Sequence, residues 1–77
     1  MIDNTAKMSD ATAKIKEGMA GIKLRYDYEL ANRIGVTRQS FSRKMSKPDT
    51  FSLNEIKAMA RELNWGKEDL GDFIMKI

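Results

Sequence analysis

The sequence predicts an all-α domain, a compact bundle of about five short helices. Apolar residues recur at helical spacing through most of the chain, while strand-like alternation is at most weak and confined to residues 73–77. Its 77 residues suffice for one small domain with a modest core. Residues 1–8 are polar and aperiodic, which predicts a flexible arm before a domain at residues 9–77.

The first helix is predicted to begin at Ser9 or Asp10, either of which can cap it. Gly18 and Gly21 each weaken a helix by about 1 kcal/mol relative to alanine, so packing must hold its second half. The residues expected on its apolar face are Ala11, Ile15, Met19 and Ile22.

The second helix is short, with Asp27 as its predicted cap and Gly35 at its end. Glycine suits that end because the positive φ required there costs glycine least. The inward residues of this helix are Leu30, Ala31 and Ile34.

Thr37 is the predicted cap of the third helix, at residues 38–45. Phe41 and Met45 lie four residues apart and are expected to face the core, with Val36 closing the turn before them. Core packing explains this apolar pair better than a stacking platform for single-stranded nucleic acid.

Pro48 predicts a turn at residues 46–50. The fourth helix is predicted to start at a capping box formed by Ser52 and Glu55, and Phe51, just before the box, is the predicted hydrophobic staple. The apolar face of that helix is Leu53, Ile56, Met59, Ala60 and Leu63. Residues 64–66 break the helix, and Trp65 there is interpreted as a packing anchor. A last helix starts at Lys67, with one apolar side formed by Leu70, Phe73, Ile74 and Ile77.

Composition argues against an enzyme, because the chain has neither cysteine nor histidine. The commonest nucleophile, base and zinc-ligand chemistries are therefore missing, and no metal or cofactor is expected. Glu68 and Asp69 are adjacent acids whose placement in a first helical turn is favourable without any site. The lack of cysteine, of a hydrophobic leader and of an apolar run of roughly 20 residues leads us to expect a cytoplasmic protein.

The net charge of +3 is mild, but its distribution is uneven. Residues 30–48 contain no acid and include Arg33, Arg38, Arg43, Lys44 and Lys47. The positive field therefore coincides with the second and third helices. Arg33 is nevertheless interpreted as part of a solvated helix face, as are three basic residues outside this segment: Lys57, Arg61 and Lys67.

The third helix carries a polar row that suits DNA recognition, formed by Arg38, Gln39, Ser42 and Arg43. Arginine can donate two hydrogen bonds to guanine and glutamine can pair with adenine, so this row is predicted to contact base edges. Phosphate contacts are predicted for Tyr28, Thr37, Ser40, Lys44 and Lys47.

The two-helix segment resembles the lambda-repressor-like domains of the Cro, phage repressor and Xre group, found in small phage and prophage regulators. The resemblance lies in Leu30-Ala31, Ile34-Gly35-Val36-Thr37-Arg38-Gln39, Phe41, Phe51-Ser52-Leu53-Asn54-Glu55-Ile56, Leu63-Asn64-Trp65 and Asp69-Leu70. It covers about residues 24–74 and implies a helix-turn-helix in which the polar row and Thr37 face DNA. The family often has a phosphate-binding glutamine where this chain has Asp27, which would repel a phosphate.

The resemblance implies a transcriptional regulator that occupies a palindromic operator in the bacterial nucleoid. One recognition helix covers only a few base pairs, so a homodimer is expected at least on DNA. Its interface is predicted at Phe73, Ile74 and Ile77, whose alternative role is ordinary core closure. Two other functions stay open: a protein-interaction module, such as an antirepressor, with weak or no DNA binding, and an excisionase-like protein that bends DNA.

Overall fold

A computed structural model describes residues 9–77, and the predicted arm at residues 1–8 lies outside this range. Five α-helices and one 3-10 turn form a compact bundle in the described part, which contains no strand. The helices are α1 (Asp10–Gly21), α2 (Asp27–Arg33), α3 (Arg38–Ser46), α4 (Leu53–Glu62) and α5 (Lys67–Lys76), with the 3-10 turn at Pro48–Thr50. The prediction of an all-helical fold with about five helices is confirmed for residues 9–77.

Three helices begin at the hydroxyl caps that the sequence predicts. The side-chain oxygen of Ser9 accepts from the amide of Thr12 at 3.1 Å, and that of Thr37 accepts from the amide of Ser40 at 3.1 Å. At α4 the capping box is complete, since the amide of Glu55 donates to the Ser52 hydroxyl and the amide of Ser52 donates to the Glu55 carboxylate. Each cap satisfies amides that lack a partner within the helix.

The predicted cap of α2 is wrong. Asp27 is the first residue inside the helix, and Tyr26 is the residue with the extended backbone that a cap requires. The carboxylate of Glu29 instead accepts from the amides of Arg25 and Tyr26, both at 3.0 Å. The Asp27 carboxylate lies 2.7 Å from the ammonium of Lys16 on α1.

Three helices end in the same way, with one residue in the left-handed region of backbone conformation. Gly35 has φ 75° after α2, as predicted, and Lys23 and Asn64 have φ 64° and 59° after α1 and α4. After α2, the amide of Val36 donates to the carbonyl of Ala31 at 2.9 Å, which is the long hydrogen bond of a Schellman motif. This motif sets the direction in which the chain leaves α2.

The core receives side chains from every helix. Its largest fully buried members are Ile15, Leu30, Phe41, Met59 and Phe73. Gly18 allows α1 to approach the end of α4 closely, because a Cβ there would lie 3.1 Å from Nε1 of Trp65 and 3.2 Å from Cδ1 of Leu63. Trp65 packs on Phe73 with their ring centroids 5.2 Å apart, which agrees with its predicted role as an anchor.

Three residues predicted on inward faces are exposed instead. Leu53 is 64% exposed because it opens α4, and the inward place at this end belongs to the staple residue Phe51. On α5, Ile74 is 42% exposed since it lies roughly 100° around the helix from the buried Phe73. Ile77 follows the last helical residue, so helical spacing does not apply to it.

A buried hydrogen bond joins α1 to the C-terminal end of α3. The hydroxyl of Thr12 donates to the carbonyl of Met45 at 2.7 Å and accepts from the hydroxyl of Ser9 at 2.9 Å. The Met45 carbonyl belongs to the last turn of α3, whose carbonyls lack partners within the helix. This contact holds α3 against α1 at a site that apolar periodicity cannot reveal.

Changing Thr12 to valine is expected to lower the free energy of unfolding by about 1–3 kcal/mol, because the Met45 carbonyl then stays buried without a donor. Urea denaturation followed by circular dichroism measures this loss. Thr12→Ser keeps the hydroxyl and is the matched control, expected to lose less than Thr12→Val. Equal stability of Thr12→Val and the wild type would contradict a stabilising role for this hydrogen bond.

Candidate nucleic-acid interface

The candidate site is built on α2, the turn at residues 34–37, and α3. The two helices pack directly against each other, with Leu30 and Ala31 of α2 and Phe41 of α3 almost fully buried. Gly35 and the hydrogen bond from the amide of Val36 turn the chain between α2 and α3. Thr37, the next residue, is the N-cap of α3. Local sequence therefore orients α3 with its apolar side toward the core.

The polar row of α3 is exposed along its length. Gln39 and Arg43 project from the side of the helix opposite the buried Phe41 and Met45, as the roughly 100° spacing of helical residues requires. Arg38 and Ser42 lie on the flank that faces the start of α2, where both line a groove. The row is thus divided into an outer edge and a flank, which the sequence analysis did not distinguish.

Three predicted phosphate contacts lie around the ends of α3. Thr37 is exposed, and its hydroxyl oxygen accepts from the Ser40 amide while its hydrogen can still donate to a ligand. Ser40 itself is half-buried, and Lys47 is exposed immediately after the helix. These placements are compatible with phosphate binding at Thr37 and Lys47, and they leave less room for it at Ser40.

Lys44 is occupied by an ion pair. Its ammonium lies 2.8 and 2.7 Å from the two carboxylate oxygens of Glu55, and both side chains are about one-fifth exposed. This contact joins α3 to the capping box of α4, so the charge of Lys44 is compensated within the protein. The predicted phosphate contact of Lys44 stays a prediction. Arg38 and Arg43, the other basic residues of α3, have no described acidic partner and are more available to an anionic ligand.

The same ion pair explains the titration expected of Glu55. Burial by itself raises the pKa of its carboxyl, but the hydrogen bonds from Lys44 and Ser52 and the charge of Lys44 bring the pKa below its ordinary value of 4.5. A carboxyl whose pKa is lower in the folded than in the unfolded protein stabilises the fold above the unfolded pKa. That stabilisation is lost as the pH falls through the folded pKa.

Glu55→Gln is expected to lower the free energy of unfolding at pH 7 by about 1–3 kcal/mol, since the partly buried Lys44 loses its charged partner. The difference from the wild type should shrink as the pH falls below about 4. Urea denaturation at a series of pH values measures both effects. Glu62→Gln removes the same charge from a more exposed pair with Arg33 and should cost less; equal losses would contradict the assigned importance of Glu55.

A groove of about 380 Å³ extends the candidate surface from α3 to the start of α2. Arg38 and Ser42 form one side, and Arg25, Tyr26 and Tyr28 contribute to the other. The tyrosine rings stack with centroids 5.5 Å apart and an interplanar angle of 13°. The guanidinium carbon of Arg38 lies 5.2 Å from the centroid of the Tyr28 ring.

Sequence analysis missed Arg25, Tyr26 and Lys16 at this groove, and it assigned Tyr28 only a phosphate contact. Two tyrosines separated by one residue at a helix start, directly after an arginine, are the signal that could have indicated an exposed aromatic surface. Asp27 also lines the groove, and its negative charge is paired with Lys16 rather than left free.

Four basic residues on this side of the protein have no ion pair with any described residue, namely Arg25, Arg38, Arg43 and Lys47. Their charges are free to attract an anionic ligand.

No group of three or more acidic, histidine or cysteine side chains in residues 9–77 has the arrangement of a metal site. Within the same residues, no helix is both long enough and apolar enough to cross a bilayer.

In comparisons with known proteins, no family model, curated protein or solved structure matches the chain. The candidate interface therefore depends on its own residues and geometry.

Proposed function

We propose that this protein binds double-stranded DNA sequence-specifically and acts as a Cro- or repressor-type transcriptional regulator, with α2 and α3 as its helix-turn-helix. The observation that carries the proposal is the exposed polar row on α3. Arg38, Gln39, Ser42 and Arg43 are all accessible, and neither arginine is neutralised by a described acid. All four side chains are exposed on α3, and no acidic residue lies among them.

The chemistry of the row fits the DNA major groove, which is about 12 Å wide and admits an α-helix. Arg38 or Arg43 can donate two hydrogen bonds to a guanine, and Gln39 can pair with an adenine. Each such pairing discriminates against the wrong base by about 1–3 kcal/mol. Thr37 and Lys47, at the two ends of α3, are suited to hold the flanking phosphates.

The proposed regulator binds as a homodimer on a palindromic operator, because a single α3 covers too few base pairs for useful specificity. Phe73 belongs to the core, with no exposed surface, so it is removed from the predicted interface. Ile74 and Ile77 remain, and Met75, which is 84% exposed, joins them. Sedimentation over a dilution series, with and without operator DNA, tests the dimer; a monomer under both conditions would overturn it.

Selection of bound sequences from a random DNA pool tests the proposed function directly. The expected result is a palindrome whose half-sites lie about one helical turn apart, bound with an affinity that falls as salt rises. Recovery of no preferred sequence at moderate salt would overturn the proposal. Such a regulator acts in the bacterial cytoplasm and needs neither catalysis nor a cofactor.

A protein-interaction module is the second candidate, and the exposed tyrosine pair favours it. Tyr26 and Tyr28 are 54% and 41% exposed, and aromatic side chains are enriched at protein interfaces. This candidate predicts that tyrosine substitutions abolish binding of a regulatory partner while DNA sequences are not discriminated. The DNA selection therefore separates the two functions.

A further inference from the structure

Three side chains form a continuous stack at the edge of the proposed DNA-binding surface. The Tyr26 and Tyr28 rings lie nearly parallel, and the guanidinium carbon of Arg38 lies over the Tyr28 ring, 5.2 Å from its centroid. This distance is within the range of a cation–π interaction. The stack joins the start of α2 to the first residue of α3.

Stacking leaves the hydrogen-bonding groups of Arg38 available. A cation–π contact is electrostatic and uses no hydrogen-bond acceptor, so the five N–H donors of the guanidinium are not consumed by a carboxylate or carbonyl there. The aromatic contact therefore restricts the many rotamers of a long arginine side chain without using its donors. A side chain ordered in advance loses less conformational freedom when it binds.

The groove contains one carboxylate that could compete for Arg38, and that carboxylate has another partner. Asp27 lines the groove, but its oxygen lies 2.7 Å from the Lys16 ammonium. Arg38 makes no ion pair with any of the described residues. It is thus held by a ring and left without an acid that would satisfy its donors.

We infer that Tyr28 is a positioning residue that holds Arg38 in the conformation in which it contacts a guanine, so that the tyrosine sets sequence specificity without touching a base. This inference rests on the proposed function. It also assigns the role of Tyr28 in DNA binding to its aromatic ring, whereas the predicted phosphate contact assigned that role to its hydroxyl. A phosphate contact would need the hydroxyl, whereas positioning needs only the aromatic face.

Two substitutions separate these roles. Tyr28→Phe keeps the ring and removes the hydroxyl, while Tyr28→Leu removes both. Tyr28→Leu is expected to weaken binding to the best selected sequence about two- to five-fold relative to Tyr28→Phe. Binding to a sequence changed at the base pair contacted by Arg38 should be the same for both variants, so discrimination at that base pair falls by the same factor.

A double-mutant cycle with Arg38→Ala tests the coupling. Once Arg38 is absent, changing Tyr28 to leucine should have no further effect on binding. The side-chain proton resonances of Arg38 give a second readout, free of DNA. Ring currents should shift them upfield in the wild type and in Tyr28→Phe but not in Tyr28→Leu. Urea denaturation checks that all variants fold.

The outcomes are distinguishable. Equal losses in Tyr28→Phe and Tyr28→Leu on all sequences would assign the role to the hydroxyl and overturn the inference. A loss in Tyr28→Leu that persists without Arg38 would also overturn it, as would tighter binding by Tyr28→Leu, which would mean that the stack holds Arg38 away from DNA. If the wild type itself shows no sequence preference, the proposed function fails, and the positioning role fails with it.

Discussion

Replacing Arg38 and Gln39 together by alanine is expected to reduce the preference for the selected DNA sequence over an unrelated sequence by about 30-fold or more. Each side chain is exposed on α3 and can form a paired hydrogen bond with a purine. Their loss removes two sources of discrimination at once, whereas the contacts to the phosphates remain. Binding measured on both sequences at one salt concentration gives the ratio directly.

Two controls make this result specific to the polar row. Arg61→Ala removes an exposed arginine from α4 and should leave the preference unchanged. Lys47→Ala should weaken binding to all sequences alike and lower the slope of log affinity against log salt by about one unit for each bound protomer, since each protomer loses one phosphate contact. If the double variant behaves like Lys47→Ala, the row supplies charge alone and base recognition by Arg38 and Gln39 is contradicted.

Phe73→Ala is expected to lower the free energy of unfolding by about 3–5 kcal/mol. Phe73 has no exposed surface and contacts Trp65, so its removal leaves a cavity between α5 and the rest of the bundle. A domain of this size has a total stability of about 4–12 kcal/mol. Much of the population should therefore be unfolded in mild urea, as circular dichroism will show.

The neighbouring residue supplies the matched control. Ile74→Ala truncates a comparable apolar side chain that is 42% exposed, and it should cost less than about 1 kcal/mol in the monomer. A loss that grows with protein concentration would instead place Ile74 in a dimer interface. A Phe73→Ala protein as stable as the wild type would contradict the burial on which the assignment of Phe73 to the core depends.

Local signals in the sequence determined the helices and most of their ends. Ser9, Thr37 and Ser52 each bond an amide three residues away, so a cap can be recognised without knowing the fold. Gly35 is similarly local, because its conformation is a property of the turn itself. The burial of Phe41 follows from helical spacing, and the exposure of the polar row follows from that burial.

Tertiary structure decided which polar groups meet. Lys44 pairs with a carboxylate eleven residues away, and Thr12 donates to a carbonyl thirty-three residues away. Periodicity records which face of a helix is apolar, but the partner of a polar side chain depends on how separate helices pack. The error at Asp27 has the same cause. The sequence predicted that Asp27 caps its own helix, but its carboxylate instead pairs with Lys16, which lies on another helix.

The sequence by itself therefore determined the number of helices, the caps of α1, α3 and α4, and the exposed polar row of α3. Only the tertiary structure decided that Lys44 forms an ion pair with Glu55 and that the ring of Tyr28 lies beneath the guanidinium of Arg38. The physical reason is the separation along the sequence over which each kind of interaction acts. Backbone hydrogen bonds and helical spacing act within a few residues, whereas ion pairs and aromatic contacts join whichever side chains the packed bundle brings together.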